Sequence, residues 1–265
     1  MRPLFLITND DGYQSKGIMT LVNIAREMGD VVVMAPERNA SGLAHSFTSS
    51  RPIRVNKIID ERSCKVYACD GTPVDCIKVS SEHYCPRTPD LVLSGINHGS
   101  NSSINVLYSG TMGAVIEASV SGLPAIGFSL LDFKPNADFA PSVPFVKSII
   151  EKVLQEGLPE RVSLNVNIPV PEDGMIKGVR VCRQSHARWD DSYEKRIDPM
   201  GRPYFWLTGR FVCDDKSPDT DQWALENGYV SIVPTITDFT CYSAIDVMKK
   251  SFPIYKSLFI YEEPI

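Results

Sequence analysis

No apolar run in the chain approaches the ~20 residues that a helix needs to cross a bilayer. Apart from Arg2 the first seven residues are apolar, but they are too short for a signal h-region and lead through Thr8 into Asn9-Asp10-Asp11. A cytoplasmic location is therefore expected. The seven cysteines fall at irregular spacings with no Cys-x-x-Cys pair, which removes the usual zinc and dithiol motifs. They read as reduced thiols with packing roles. Also missing are Gly-x-Gly-x-x-Gly, Gly-x-x-x-x-Gly-Lys-Ser/Thr, His-Glu-x-x-His and Gly-x-Ser-x-Gly. Dinucleotide, P-loop, zincin and serine-hydrolase chemistries thus have no support. The formal net charge is −5 and no basic stripe stands out, so long nucleic acid is not an expected partner. There is no internal repeat and no low-complexity segment.

What is present is an ordinary globular composition. The 265 residues are 43% hydrophobic and 22% charged, enough for a large buried core. The most informative segment is Leu4-Phe5-Leu6-Ile7-Thr8-Asn9-Asp10-Asp11-Gly12, an apolar run that ends in two adjacent carboxylates and a glycine. In an α/β protein this junction is the carboxyl end of a parallel strand, where ligands bind. Two carboxylates held there repel each other unless a proton or cation sits between them, and Mg²⁺, Mn²⁺ or Ca²⁺ prefers oxygen ligands. The alternative is a polar turn, since Asn, Asp and Gly dominate turns. Because the two aspartates are adjacent, with no residue between them, phosphatases that use one Asp as nucleophile and a second as acid are disfavoured.

The spacing predicts a strand over residues 4–8, a helix over 15–28 and a continuous apolar strand over 31–35, which together make a βαβ unit. Residues 51–68 alternate as extended or hairpin structure. Asp70-Gly71-Thr72-Pro73 then opens a helix. Strands are expected over 91–93, 125–129 and 164–168, with helices over 110–121 and 143–154. Beyond about residue 183 the character shifts. Residues 188–204 are charged, aromatic and weakly periodic, 205–212 read as one arm of a long hairpin, 222–226 as a short helix and 229–233 as a strand. The expected fold is a single α/β domain over 1–265, with a mostly parallel sheet, a core over about 1–182 and an oligomerisation arm over about 183–265.

Four polar segments fall at strand ends: residues 9–12, 39–42, 70–73 and 95–99. Asp10 and Asp11 offer carboxylate oxygens, Ser41 a hydroxyl and Asn97 an amide carbonyl, a plausible oxygen shell for a hard cation. Ser41 is equally a turn residue, and Asn97 between glycines equally a left-handed structural residue. Ser109-Gly110-Thr111 precedes a small-residue helix whose free N–H groups suit an anion, although any Ser-Gly-Thr also reads as a routine cap. His45 and His98 are candidate proton carriers or, as readily, hydrogen-bonding structural residues.

Longer motifs carry a resemblance. They include Ile7-Thr8-Asn9-Asp10-Asp11-Gly12, Ala35-Pro36-Glu37-Arg38-Asn39-Ala40-Ser41-Gly42, Gly71-Thr72-Pro73-Val74-Asp75-Cys76 and Leu93-Ser94-Gly95-Ile96-Asn97-His98-Gly99-Ser100-Asn101. Further on, Tyr108-Ser109-Gly110-Thr111-Met112-Gly113, Leu164-Asn165-Val166-Asn167-Ile168-Pro169 and Asp198-Pro199-Met200-Gly201-Arg202 continue the match. In this order, over nearly the whole chain, they resemble the SurE family of 5′/3′-nucleotidases. The resemblance implies a Rossmann-like three-layer sandwich whose C-terminal part reaches a neighbouring subunit in a homodimer or homotetramer. It implies metal-dependent hydrolysis of nucleoside monophosphates, with one divalent ion per subunit, Mg²⁺ or Mn²⁺. By motif position, Asp10, Asp11, Ser41 and Asn97 would be metal ligands and Asn101, Ser109, Gly110 and Thr111 would line the phosphate site. Asp10 and Asp11 would also serve the attacking water. Residues 42–48 and 183–186 depart from the family's usual pattern, which bears on substrate preference and arm geometry. Two other readings stand beside this one: a broader phosphatase or exopolyphosphatase, and a non-catalytic phosphate-binding stress regulator.

Overall fold

Alternation of strand and helix dominates the first two thirds of the chain, as seen in a computed structural model that describes residues 2–134, 136–171 and 174–252. In chain order the elements are β1 (Leu4–Thr8), α1 (Lys16–Met28), β2 (Asp30–Pro36), β3 (Val55–Glu61), β4 (Cys64–Cys69), α2 (Pro73–His83), β5 (Leu91–His98), α3 (Gly110–Val120), β6 (Ala125–Leu130), α4 (Val143–Glu156) and β7 (Ser163–Ile168). There follow β8 (Gly178–Val181), β9 (Ala187–Ile197), β10 (Pro203–Cys213), α5 (Asp221–Glu226), β11 (Tyr229–Thr235) and α6 (Tyr242–Ser251).

Nine strands form one sheet in the order β3-β4-β2-β1-β5-β6-β7-β11-β8. The run from β4 to β7 is parallel; β3 pairs antiparallel with β4, and β11 antiparallel with β7. Every residue of β1 is buried, as expected for a central parallel strand covered on both faces. Its side chains divide by alternation. Phe5 and Ile7 join Ile18 and Leu21 of α1 and Val146 and Ile150 of α4 on one face. Leu4 and Leu6 join Ile77 of α2 and Met112 and Val115 of α3 on the other. The result is the three-layer α/β architecture expected, with each large apolar side chain so buried contributing about 1.5–3 kcal/mol.

Local signals set the helix starts. Ser15 caps α1, accepting from the Ile18 amide. Thr72 and Asp75 form a reciprocal capping box at α2, followed by Pro73 in the first turn. α3 carries small residues because it approaches other backbone closely; a Cβ on Gly113 would lie 2.5 Å from the Ala44 carbonyl oxygen.

The chain leaves β1 for β2 on one side of the sheet and later returns through β5 on the other. The carboxyl ends of β1 and β5 therefore flank the switch point, where α/β sheets form ligand crevices. The break expected near residue 182 does not bound the sheet. β11 returns from the C-terminal segment and inserts between β7 and β8. Residues 188–204, expected to be weakly periodic, overlap β9, which pairs with β10 along eleven residues as a separate two-stranded ribbon. Among the described residues no helix is long and apolar enough to cross a membrane.

Candidate active site

β1 ends in a turn locked by Asn9, whose amide donates to the Gly12 carbonyl (3.0 Å) and the Ser15 hydroxyl (2.8 Å). Gly12 adopts φ +99°, a left-handed conformation that other residues rarely take. This turn fixes Asp10 and Asp11 at the sheet edge. Asp10 is buried, its Oδ1 accepting from the Thr111 hydroxyl at 2.6 Å across 101 residues of sequence. Burial raises the Asp10 pKa, and the Thr111 hydroxyl with the Thr111 and Gly110 amides draws it partly back. Asp11 accepts from the His98 amide at 3.4 Å. Its pKa is pushed up to about 6, first by burial and then by the charge on Asp10 beside it. A carboxylate pair under this strain favours a cation between its members.

The other predicted oxygen donors are brought to the same place. The Asp10 carbonyl accepts from the Ala40 amide at 2.7 Å, which ties down the loop carrying Ser41. Asn97, buried near the end of β5, donates through its amide nitrogen to the carbonyls of His98 (3.2 Å) and Gly99 (2.9 Å). Among the described residues its amide oxygen accepts no hydrogen bond. Asp10, Ser41, Asn97, Asn101 and Ser109 line a single cleft of ≈ 660 Å³. No group of three or more His, Cys, Asp or Glu side chains suited to a metal occurs among the described residues. A cation here would complete its shell from neutral oxygens. Asp11 does not line that cleft, so the donors it presents are the Asp10 carboxylate, an amide carbonyl and a hydroxyl, a hard set that suits Mg²⁺ or Mn²⁺ rather than a thiophilic ion.

The four residues expected at the phosphate site fall into two groups. Ser109 caps α3, accepting from the Met112 amide at 3.0 Å, and lines the cleft. Asn101 also faces the cleft, with one amide hydrogen used on the Ser129 hydroxyl at 2.8 Å. Gly110 and Thr111 lie behind Asp10, and the Thr111 hydroxyl is already committed to that carboxylate. A Cβ on Gly110 would come within 2.8 Å of the Asp10 Cβ.

Several supporting residues have weak sequence signals. Asn165 donates to the Asn101 carbonyl (2.8 Å), and the Asn101 amide donates to Asn167 (2.8 Å). Two asparagines at i and i+2 in a buried strand share one face, and that clue was legible. Asp221 is fully buried and accepts from the amides of Ser103 (2.7 Å) and Ser185 (3.0 Å), pinning the loop after Asn101. Nothing in the sequence links these positions. His45 is half-buried, burial lowers its pKa, and its Nε2 has no hydrogen-bond partner among the described residues. The His98 ring packs edge-on against Phe139 at 5.0 Å, a structural contact. A larger cleft of ≈ 890 Å³ opens at the opposite edge of the sheet near Pro3 and Leu123. Its Arg87 and Asp90 are paired at 2.7 Å, and it contains none of the site residues.

Residues 5–191 match the family model described as Survival protein SurE. The 5′-nucleotidase SurE of Christiangramia forsetii is 52% identical over 246 residues, covering 92% of this chain and 95% of that protein. The 5′-nucleotidase SurE of Flavobacterium psychrophilum is 49% identical over 248 residues, covering 93% and 96%. The crystal structure of SurE protein from Aquifex aeolicus superposes with a TM-score of 0.82 at 39% identity, covering 94% of this chain and 99% of that one. With the matched segment containing β1, β5 and the amino end of α3, where the carboxylates and their partners converge, the chain belongs to the SurE family.

Proposed function

We propose that the protein is a divalent-metal-dependent phosphomonoesterase that hydrolyses nucleoside 5′-monophosphates, and 3′-monophosphates as well, to nucleoside and phosphate. The observation that carries this reading is the buried Asp10 beside the strained Asp11, both at the switch point and next to the amide carbonyl of Asn97. The relatives named 5′-nucleotidase SurE support the substrate class.

Asp10, Asp11, Ser41 and Asn97 would hold the ion. When bound, such an ion supplies charge neutralisation and a water of lowered pKa. The chain's own residues do the positioning on which phosphoryl transfer depends. Thr111 and the first amides of α3 hold the Asp10 carboxylate in one orientation. One of the two aspartates orients the attacking water and accepts its proton at a carboxylate oxygen. The Ser109 hydroxyl and the second amide hydrogen of Asn101 donate to phosphate oxygens, where negative charge concentrates. No protein nucleophile is needed.

The assembly is a homodimer or homotetramer built through the β9–β10 ribbon. Tyr193, Ile197, Phe205 and Trp206 are all exposed on that ribbon, and an isolated two-stranded ribbon is marginal in water. A cytoplasmic location accords with seven cysteines that are all free.

The test is phosphate release from AMP and 3′-AMP with Mg²⁺, with Mn²⁺ and with EDTA, for wild type and Asp10→Asn. Turnover is expected only with an ion, and Asp10→Asn should lower kcat/KM by about 100-fold or more. Wild-type rates in EDTA, or from Asp10→Asn with the ion present, would contradict the assignment. Faster hydrolysis of tripolyphosphate than of AMP would move the reading to a broader phosphatase.

A further inference from the structure

Every residue of β7 is buried, yet only one of its faces is apolar. Leu164, Val166 and Ile168 enter the core shared with α1 and α4. The alternate positions Asn165 and Asn167 face the other way, at 3% and 0% exposure. Burying an amide is costly unless it is hydrogen-bonded, and apolar side chains would fill these positions without that cost. Among the described residues, the side-chain bonds of the two amides run only to each other and to residues 100 and 101.

These bonds close into a cycle. The Asn101 backbone N–H donates to Asn167 Oδ1 at 2.8 Å, and Asn167 Nδ2 donates to Asn165 Oδ1 at 2.9 Å. Asn165 Nδ2 then donates to the Asn101 carbonyl at 2.8 Å. Each member donates in the same sense, and buried chains of this kind polarise and strengthen their own bonds. Asn101 is thereby gripped at both its N–H and its carbonyl, while a bond from its Nδ2 to Ser129 Oγ fixes the side chain. Ser129 on β6 stands opposite Asn97 of β5 on one side and Asn167 of β7 on the other. One row across three strands thus carries the amide expected at the ion and the support of the amide expected at the phosphate.

We propose that Asn165 and Asn167 are positioning residues for the hydrolysis, and that their cycle with Asn101 sets the spacing between the ion at Asn97 and the phosphate. The inference rests on the phosphomonoesterase reading given above, in which Asn101 donates to a phosphate oxygen. Neither residue lines the cleft, so both act through Asn101. The Gly99 amide on the Leu130 carbonyl (2.8 Å) and the Ser103 amide on Asp221 (2.7 Å) hold the two ends of the loop. The cycle holds its middle, where a small displacement would carry the phosphate away from the attacking water.

The experiment titrates the full chain with inorganic phosphate in Mg²⁺ by calorimetry and measures kcat and KM on AMP and the half-saturating Mg²⁺ concentration. Asn167→Ala opens the cycle at two bonds, and Asn165→Leu removes its donor at nearly constant volume. Each should weaken phosphate binding and raise KM about tenfold, as for the loss of one hydrogen bond to a charged group, with a smaller fall in kcat. The half-saturating Mg²⁺ concentration should not change. Ser231→Ala is the control: this buried hydroxyl lies beside Asn167 on β11 without a partner among the described residues, and its loss should change none of the constants. Unaltered phosphate affinity in both asparagine variants would overturn the proposal, as would a parallel loss of phosphate and Mg²⁺ binding, or equal losses in Ser231→Ala. If Asn167→Ala does not fold, Asn165→Leu decides. Wild type that binds phosphate without hydrolysing AMP defeats the hydrolase reading and leaves the phosphate titrations to judge the cycle. Wild type that binds no phosphate overturns the cycle's role.

Discussion

Thr111 and Asp10 are 101 residues apart and meet through a 2.6 Å hydrogen bond that fixes the buried carboxylate against the first turn of α3. This contact places a helix-start residue in service of the strand-end aspartate. Replacing Thr111 with Val keeps the shape and removes the donor. On the proposed metal-holding role of Asp10, activity on AMP should fall by about 10–100-fold. Because the hydroxyl lowers the Asp10 pKa, its loss should also move the acid limb of the kcat/KM profile to higher pH. An unchanged pH profile would show that Thr111 is only a helix residue.

Gly110 gives a steric version of the same test. Ala is a better helix former than Gly, so Gly110→Ala should leave the melting temperature within a few degrees of wild type. Its Cβ, however, would enter the space of the Asp10 side chain, 2.8 Å from Cβ and 2.9 Å from Oδ2. Displacing that carboxylate by a fraction of an ångström to one ångström should cost about 100-fold in kcat. Steady-state kinetics and a thermal melt on the same preparation separate the two effects.

Asp11 gives a pH dependence. In the metal-free protein its pKa is raised from 3.8 to about 6, so the folded state favours the neutral acid. The stability this contributes is complete below pH about 4 and is lost as pH rises through about 6. A bound cation favours the charged form instead. The increase in melting temperature on adding Mn²⁺ should therefore be larger at pH 7.5 than at pH 5, by several degrees. Equal increases at the two pH values would disconnect Asp11 from the ion.

Asp221 connects the C-terminal segment to the loop that follows Asn101. Asp221→Ala leaves the Ser103 and Ser185 amides without their acceptor, and a loss of about 2–4 kcal/mol in stability is expected. Asp221→Asn retains one acceptor and should cost about half as much. Both variants should raise KM for AMP more than they lower kcat, since they loosen Asn101 and leave the aspartates in place. Urea melts and initial-rate measurements would show this.

Much of the fold could be read from local pattern. The apolar run of β1, the amphipathic α1 and the Thr72-Pro73-Val74-Asp75 start of α2 each carry their own physical signal, and the structure places them as expected. β9 gave no such signal because both of its faces are exposed, and alternation appears only where one face is buried. α6 was missed for the same reason, having no buried residue. In the candidate site, Asp10, Asn97 and Ser41 lie where the strand ends implied. The Thr111 contact, the Asp221 clasp and the approach of Trp189 to the cleft are long-range events with no local spacing to announce them.

The insertion of β11 between β7 and β8 has a consequence for synthesis. As the chain emerges from the ribosome, β7 can dock on β6, but its outer edge has no partner until β11 is made. That edge is an exposed row of backbone donors and acceptors, open to pairing with other chains. The Asp221 clasp arrives only just before β11. Both aspartates are thus in place early, whereas the loop that steadies Asn101 closes last. A nascent chain stalled before residue 221 would carry its carboxylates on an unfinished, aggregation-prone sheet.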